Sequence, residues 1–531
     1  MELRPGCVKF MMDLSLGEIA VSCGGKLVLR GDDASDMCVS SVERDSREVT
    51  KQGAFVAIVG ERVDGHRFIT SVFEKGAALA ITQKTPEQVE AETGISSAGW
   101  GSYILVDDTL QALKDFAEYY RRKFSIPVVG ITGSVGKTST KEFIAGVLAE
   151  KYNVLKTEGN YNNEIGVPLT LLRIRREHTA AVVEMGISDF GEMHRLSKMV
   201  RPNVCVITNI GQCHLENLKS RNGILKAKTE IFDFMEENAY ICLNGEDDKL
   251  RTITNVKGSK PHFFGRGNVP MGEVTADNIV SHGLWGSDAV LTLKAEQNPE
   301  SREEPGSREN SETGNKASLA AGEVKVHVPL PGEHNVLNSA AAACVGRLLG
   351  LSLRQIAEGI SKIKPVSGRN NLIRLKDHTL IDDCYNANPA SMKAAIDLLT
   401  MADTEKVAIL GDMFELGDGS RSFHEEIGAY AVRAGIDRIY CVGEESEYMY
   451  KAAIAACTQS ERTVTEFGAK DLAAADSEES CAKISYFPSR EDLRQALQES
   501  PYDYLPKGST VLVKASHGMK FSEIVEFMKT L

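Results

Sequence analysis

Residues 128–148 read VVGITGSVGKTSTKEFIAGVL, and this stretch decides the fold. Apolar and small residues run into a turn with glycines at 130, 133 and 136. Lys137 and Thr138 then open a segment in which Phe143, Ile144, Val147 and Leu148 recur at helical spacing. That order predicts strand, loop, helix. The glycines let backbone N–H groups turn toward a polyphosphate, and the helix start adds its positive dipole end. Lys137 can reach the β- and γ-phosphates, and Thr138 can offer its hydroxyl to Mg²⁺. The common spacing, G-x-x-x-x-G-K-[ST], needs glycine at 131, where Ile131 stands, so the loop points to a distinct subfamily. A glycine-rich turn with a chance lysine is the plain alternative.

At 531 residues the chain is too long for one ordinary domain; at roughly 150 residues each, about three are expected. Strand and helix patterns alternate from Val128 onward, with AAVVEMG and NVCVITNIG as short buried-strand runs, which implies a mostly parallel sheet covered on both faces. A third αβ region starts near Pro365, with strand candidates HTLIDD, KVAILGD, RIYCVG and STVLVKAS. The expected domains are residues 1–126, 127–364 and 365–531. Polar insertions are expected at 295–318, which has no apolar side chain larger than alanine and reads as disordered, and at 459–483.

A formal net charge of -13 argues against a chain that coats nucleic acid or an anionic membrane. No apolar run approaches the roughly 20 residues that span a bilayer, and Asp13 and Glu18 interrupt any secretory signal. A cytoplasmic protein is expected. The 11 cysteines form no C-x-x-C pair, so they read as buried thiols.

Three further positions carry possible chemistry. Glu184 follows the strand AVV, where a carboxylate can face a nucleotide's metal, although a solvated turn explains it as well. His214, after another strand, is equally weak alone. Lys228 says more: Ile224, Leu225, Ile231, Phe232 and Met235 form one helical stripe, and at 100° per residue Lys228 falls in its middle. A lysine there must be neutralised, paired, modified or able to reach the surface, because burying a bare ammonium is too costly.

Together with these residues, the motifs DSREVTKQGAFVAIVGERVDGHRF, TEGNYNNEIGVPLTLL, TNIGQCHLENL, AKTEIF, GEHNVLNSAAAA, SGRNN, IDDCYNANPASM and ILGDMFELG make the chain resemble the Mur ligase family, most closely its MurF branch. The resemblance covers nearly the whole chain apart from the two insertions. It implies an α/β protein of three domains: one for a UDP-sugar-peptide, a central P-loop-type ATPase, and a C-terminal Rossmann-like domain. The implied reaction is ATP-dependent amide formation between a UDP-N-acetylmuramoyl-tripeptide and D-alanyl-D-alanine through an acyl phosphate, by a monomer.

Carried onto this sequence, the resemblance implies a phosphate cradle of Gly133, Ser134, Val135, Gly136, Lys137, Thr138 and Ser139. It implies one Mg²⁺ on Thr138 and Glu184 and a second on His214 and a carbamylated Lys228. Asn335 and Asn338 would contact adenine, Asp383 the ribose, and Arg369 the γ-phosphate. Ser46, Arg47, Asp64, Gly65 and His66 would belong to the uridine nucleotide site. The sequence departs from the family pattern at Cys384, where serine is usual, and at His517, where arginine is usual. Rival readings are another Mur-type or folylpolyglutamate-synthetase-like ligase and, more distantly, a P-loop switch or transport ATPase.

Overall fold

The structure, a computed structural model, describes residues 14–31, 39–60, 63–269, 271–295, 321–365, 368, 371–466 and 482–531. Arg369 and most of the two expected polar insertions lie outside the described residues.

Three sheets follow one another along the chain. The first has the order Lys26–Val28, Tyr103–Leu105, Leu79–Thr82, Ala54–Val56, Val42–Glu43. Only its Lys26–Val28 edge is antiparallel. The helix Thr109–Arg121 leaves this sheet, capped by Asp108, with Ala112, Leu113, Phe116, Ala117 and Tyr120 on its buried side. It packs on the central helices Gly166–Leu171 and Glu192–Val200. Tyr120 Oη donates to the Ile174 carbonyl at 2.5 Å and Arg121 Nε to the Val200 carbonyl at 3.0 Å. The first two sheets therefore share one apolar core.

The central sheet has nine strands, in the order Gly322–Val328, Ser287–Leu293, Gly272–Ser281, His262–Arg266, Tyr240–Asn244, Val204–Ile207, Val128–Thr132, Ala180–Glu184, Val154–Lys156. From Gly272–Ser281 to Val154–Lys156 it is parallel, as the alternating pattern predicts. The strands Ser287–Leu293 and Gly322–Val328 add an antiparallel edge that the pattern did not indicate. Their side chains alternate between buried and more exposed, as in a one-sided sheet. In the turn between the strands Gly272–Ser281 and Ser287–Leu293, Leu284 is buried in the C-terminal core, and the Arg374 guanidinium stacks 4.1 Å from the Trp285 ring centroid.

The third sheet runs Asn371–Arg374, Thr379–Asp382, Thr510–Lys514, Lys406–Gly411, Arg438–Val442, Lys483–Phe487, parallel except for its first pair. Parallel strands deliver their following loops to one edge of a sheet. The carboxyl ends of central and C-terminal strands accordingly meet at a common cleft. No described helix is long and apolar enough to cross a membrane.

Candidate active site

The strand Val128–Thr132 is wholly buried and the helix Lys137–Leu148 begins directly after Gly136, at φ 83°. Gly133 has φ 151°, and a Cβ there would fall 1.9 Å from Thr208 Oγ1. The close approach at Gly133 and the left-handed backbone at Gly136 each favour glycine, which explains two of the glycines in the motif. Gly133→Ala is therefore expected to lower the melting temperature by several degrees and to weaken nucleotide binding, both read from one thermal-shift titration with and without nucleotide.

The loop is braced from the strand beside it. Ser134 N donates to the Asn209 carbonyl (3.1 Å) and Val135 N to Asn209 Oδ1 (2.9 Å). Thr208 Oγ1 and Asn209 Nδ2 donate to the Val135 carbonyl at 2.7 and 3.0 Å. Lys137 Nζ reaches back to the Gly133 carbonyl at 2.8 Å. In the first turn of the helix, Thr138 Oγ1 donates to Glu184 Oε2 at 2.8 Å, and Asn162 Nδ2 donates to the other oxygen at 2.8 Å. Glu184 is 1% exposed, so the solvated-turn reading of this residue is excluded.

Lys228 is buried on the helix Arg221–Thr229, with Ile224, Ile231 and Phe232 also buried, while Lys226 is exposed, as the helical period predicts. Burial first, then the charge of Lys137, lowers its amine pKa to about 7. Its side chain does not reach the surface, which removes that alternative. His214 sits in the left-handed region at φ 50°. Burial, then Lys228 and Lys137, lowers its imidazole to about 4, leaving it neutral and able to act as a ligand at physiological pH. The charge of Lys137 thus bears on both His214 and Lys228 and favours their neutral forms.

Lys137 and His214 stand at a cleft of about 810 Å³ between the central and C-terminal sheets, and Lys228 is buried outside its lining. Ser134, Val135, Gly136, Lys137, Thr138, Ser139, Glu184 and His214 line it from one side, and Asp383 and Lys514 from the other. Lys514 Nζ is 2.6 Å from Asp383 Oδ2 and fixes that carboxylate. Asn338 lines the cleft, accepting from Thr140 Oγ1 (2.8 Å) and donating to Asn335 Oδ1 (3.0 Å). Glu415, on a C-terminal loop, approaches His214 Nδ1 to 3.6 Å.

The residues assigned to the uridine nucleotide are outside this cleft. Asp64 accepts from His66 N (2.9 Å), and its Oδ1 is 2.5 Å from His66 Nδ1, while His66 Nε2 accepts from Gln83 N (3.0 Å). Burial opposes ionisation of Asp64, yet the His66 and Lys84 hydrogen bonds hold its pKa at about 2. A Cβ at Gly65 would meet the Ile58 carbonyl at 2.8 Å. This turn is rigid and Asp64 anionic. Arg47 is highly exposed, pairing with Asp45 at 2.6 Å, and Lys75 Nζ donates to the Ser46 carbonyl at 2.7 Å. Cys384 Sγ donates to Asp382 Oδ1 at 2.9 Å and burial pushes its thiol pKa up, so it serves as a buried hydrogen-bond donor. His517 is exposed, its ring 5.5 Å from that of Tyr385 on the cleft wall.

Three family descriptions match the chain in order: "Mur ligase family, catalytic domain" at 39–121, "Mur ligase middle domain" at 131–346, and "Mur ligase, glutamate ligase domain" at 368–517. The chain belongs to the Mur ligase family. The UDP-N-acetylmuramoyl-tripeptide--D-alanyl-D-alanine ligase of Bacillus subtilis is 33% identical over 92% of this chain and 93% of its own length. The ligase of the same name from Escherichia coli is 34% identical over 83% and 89%. A crystal structure of MurF from Acinetobacter baumannii superposes with a TM-score of 0.78 at 28% identity, covering 97% of this chain and 99% of that one. MurF ligase from Thermotoga maritima in complex with ADP gives 0.70 at 27% identity, covering 92% and 97%. Within the Mur ligases the chain falls in the MurF branch, and it is a ligase of three α/β domains with mostly parallel sheets.

Sequence reasoning did not single out Thr208, Asn209, Asn162 or Lys514 as parts of this Mur ligase cleft. Asn162 lay within the quoted motif GNYNNEIG, and Lys514 in a strand candidate. Nothing local marked the pairing of Lys514 with Asp383, since the two are 131 residues apart.

Proposed function

We propose that this chain uses ATP to join D-alanyl-D-alanine to a UDP-N-acetylmuramoyl-tripeptide in peptidoglycan precursor synthesis, through an acyl phosphate. The carrying observation is geometric: Lys137, the hydrogen-bonded Thr138–Glu184 pair and His214 line one cleft. The near full-length likeness to ligases of that name supports the choice of substrates.

In this reading residues 133–139 cradle the phosphates, Asn335 and Asn338 form the adenine side, Asp383 the ribose side, and Arg369 reaches the γ-phosphate. Ser46, Arg47, Asp64, Gly65 and His66 belong to the uridine nucleotide site. The domains divide at 126/127 and 364/365, and the protein is a cytoplasmic monomer that binds neither nucleic acid nor membrane, in keeping with its net charge of -13.

Thr138 and Glu184 offer hard oxygen donors to one Mg²⁺, and the neutral His214 offers a nitrogen to a second. An amine at Lys228 does not fit a hard cation, but its carbamate does. The carbamate forms when the neutral amine attacks CO₂ and loses a proton. When bound, Mg²⁺ offsets the repulsion between a carboxylate and a polyphosphate.

Lys137 neutralises charge on the transferring phosphoryl group while the peptide carboxylate oxygen bonds to the γ-phosphorus and ADP leaves. The dipeptide amine then attacks the acyl carbon, and phosphate departs with the former carboxylate oxygen. Closure of the cleft keeps water from the acyl phosphate.

Two measurements test this. Phosphate release is expected only when a UDP-muramoyl tripeptide and D-alanyl-D-alanine are both present; steady release with ATP alone would favour a switch ATPase. With heavy oxygen in the terminal carboxylate of the tripeptide, label is expected in the released phosphate, and unlabelled phosphate would exclude the acyl phosphate.

A further inference from the structure

A second lysine lies one turn along the nucleotide helix from Thr138. Lys141 is 1% exposed, among the largest fully buried side chains of the described residues. Its amine donates to the Thr157 carbonyl at 2.7 Å and stands 3.2 Å from Glu142 Oε1 and 3.9 Å from Glu184 Oε2. The hydroxyl of the same Thr157 accepts from the Glu184 backbone N at 2.9 Å. Lys141 therefore touches the Glu184 carboxylate and the residue that fixes the Glu184 backbone. Glu142 is in turn paired with Lys156 on the neighbouring strand, so charges alternate Lys156, Glu142, Lys141, Glu184 into the cleft wall.

We propose that Lys141 is a positioning residue that keeps the buried Glu184 carboxylate aimed at the phosphate loop, ready for the divalent cation that arrives with ATP. The proposal rests on the reading of Glu184 as a metal ligand. A carboxylate at 1% exposure needs donors or a cation around it to fix its place. Thr138 and Asn162 supply two neutral donors, one to each oxygen. Lys141 supplies the only side-chain cation within ion-pair distance of Glu184 among the described residues. Its reach to Glu184 is 0.7 Å longer than its reach to Glu142 (3.9 less 3.2 Å). Such a contact biases the carboxylate without occupying the lone pairs a metal would use.

The test reads cation binding directly, in the full chain with a non-hydrolysable ATP analogue, by electron paramagnetic resonance titration of Mn²⁺. Lys141→Met removes both charge and hydrogen bond. Lys141→Gln can keep a hydrogen bond to the Thr157 carbonyl without charge, and Lys141→Arg keeps the charge. Met and Gln are expected to raise the Mn²⁺ dissociation constant about tenfold or more and Arg to restore most of the loss, a tenfold change being about 1.4 kcal/mol. Metal-free analogue binding should stay near wild type in every variant, which guards against misfolding, and if Met fails that control, the Gln and Arg pair decides. Unchanged or tighter Mn²⁺ binding in Lys141→Gln overturns the proposal, because Lys141 would then only brace the helix or repel the cation. Glu184→Gln separates the two ideas: if it leaves Mn²⁺ binding intact, the reading of Glu184 itself is wrong.

Discussion

Lys228→Ala is expected to lose nearly all turnover while still binding ATP. The amine is fully buried beside apolar residues, and burial together with Lys137 favours its neutral form, the species that reacts with CO₂. On the proposed reading, carbamylation converts a group that repels divalent cations into an anionic oxygen donor, so its loss would remove a metal ligand. A loss of about 10²–10³ in turnover or more is the scale for removing one preorganised electrostatic contact at a developing charge. ATP, which the proposed reading places mainly on residues 133–138 and the asparagine pair, should bind within a few fold of wild type by calorimetry. Formate or acetate at high concentration should restore part of the activity by filling the vacated space with a carboxylate. Lys228→Arg should not be rescued, because a fixed guanidinium occupies that space. An alanine variant that keeps most of its turnover, or rescue of arginine equal to that of alanine, would remove the carbamate from the mechanism.

The parts legible in the sequence were those whose signal is local. The strand Val128–Thr132, the glycine turn and the helix Lys137–Leu148 follow from one short stretch, because backbone freedom and a 3.6-residue period are properties of neighbouring residues. The burial of Lys228 was legible for the same reason: Ile224 and Ile231 set a helical face, and the lysine falls on it. The antiparallel edge at Ser287–Leu293 and Gly322–Val328 was not, since the second strand lies beyond the long polar run and only pairing in space joins them. Lys141 was missed because the helix pattern marks Phe143, Ile144 and Val147 as core but does not say that Thr157 and Glu184 cover the adjoining face. The uridine nucleotide candidates were legible as a motif. Their geometry was not, because His66 is held between Asp64 and Gln83, and Gln83 lies 17 residues further along the chain.

Lys137→Met is expected to have an effect of the same order as the loss of Lys228, and the two should not add. Lys137 Nζ folds back to the Gly133 carbonyl at 2.8 Å and the Ser134 carbonyl at 3.4 Å, which holds the ammonium over the loop where phosphate would lie. Removing it takes a full charge from the transferring phosphoryl group, so turnover should fall by about 10²–10³ or more, while analogue affinity, shared among backbone donors, falls far less. Its second effect runs through Lys228. The Lys137 charge helps to depress the Lys228 amine, so without it that amine holds its proton more tightly and the neutral form that takes up CO₂ becomes scarcer. The sign is fixed: a raised amine pKa means less carbamate at a given pH, and the missing ligand should return in part as pH rises. The double variant Lys137→Met, Lys228→Ala should therefore be little worse than the poorer single variant, as for groups that act as a unit. Single-turnover measurement of acyl phosphate formation in all four proteins decides the matter. Strict multiplication of the two losses would show that Lys137 and Lys228 act independently, despite the charge coupling between them.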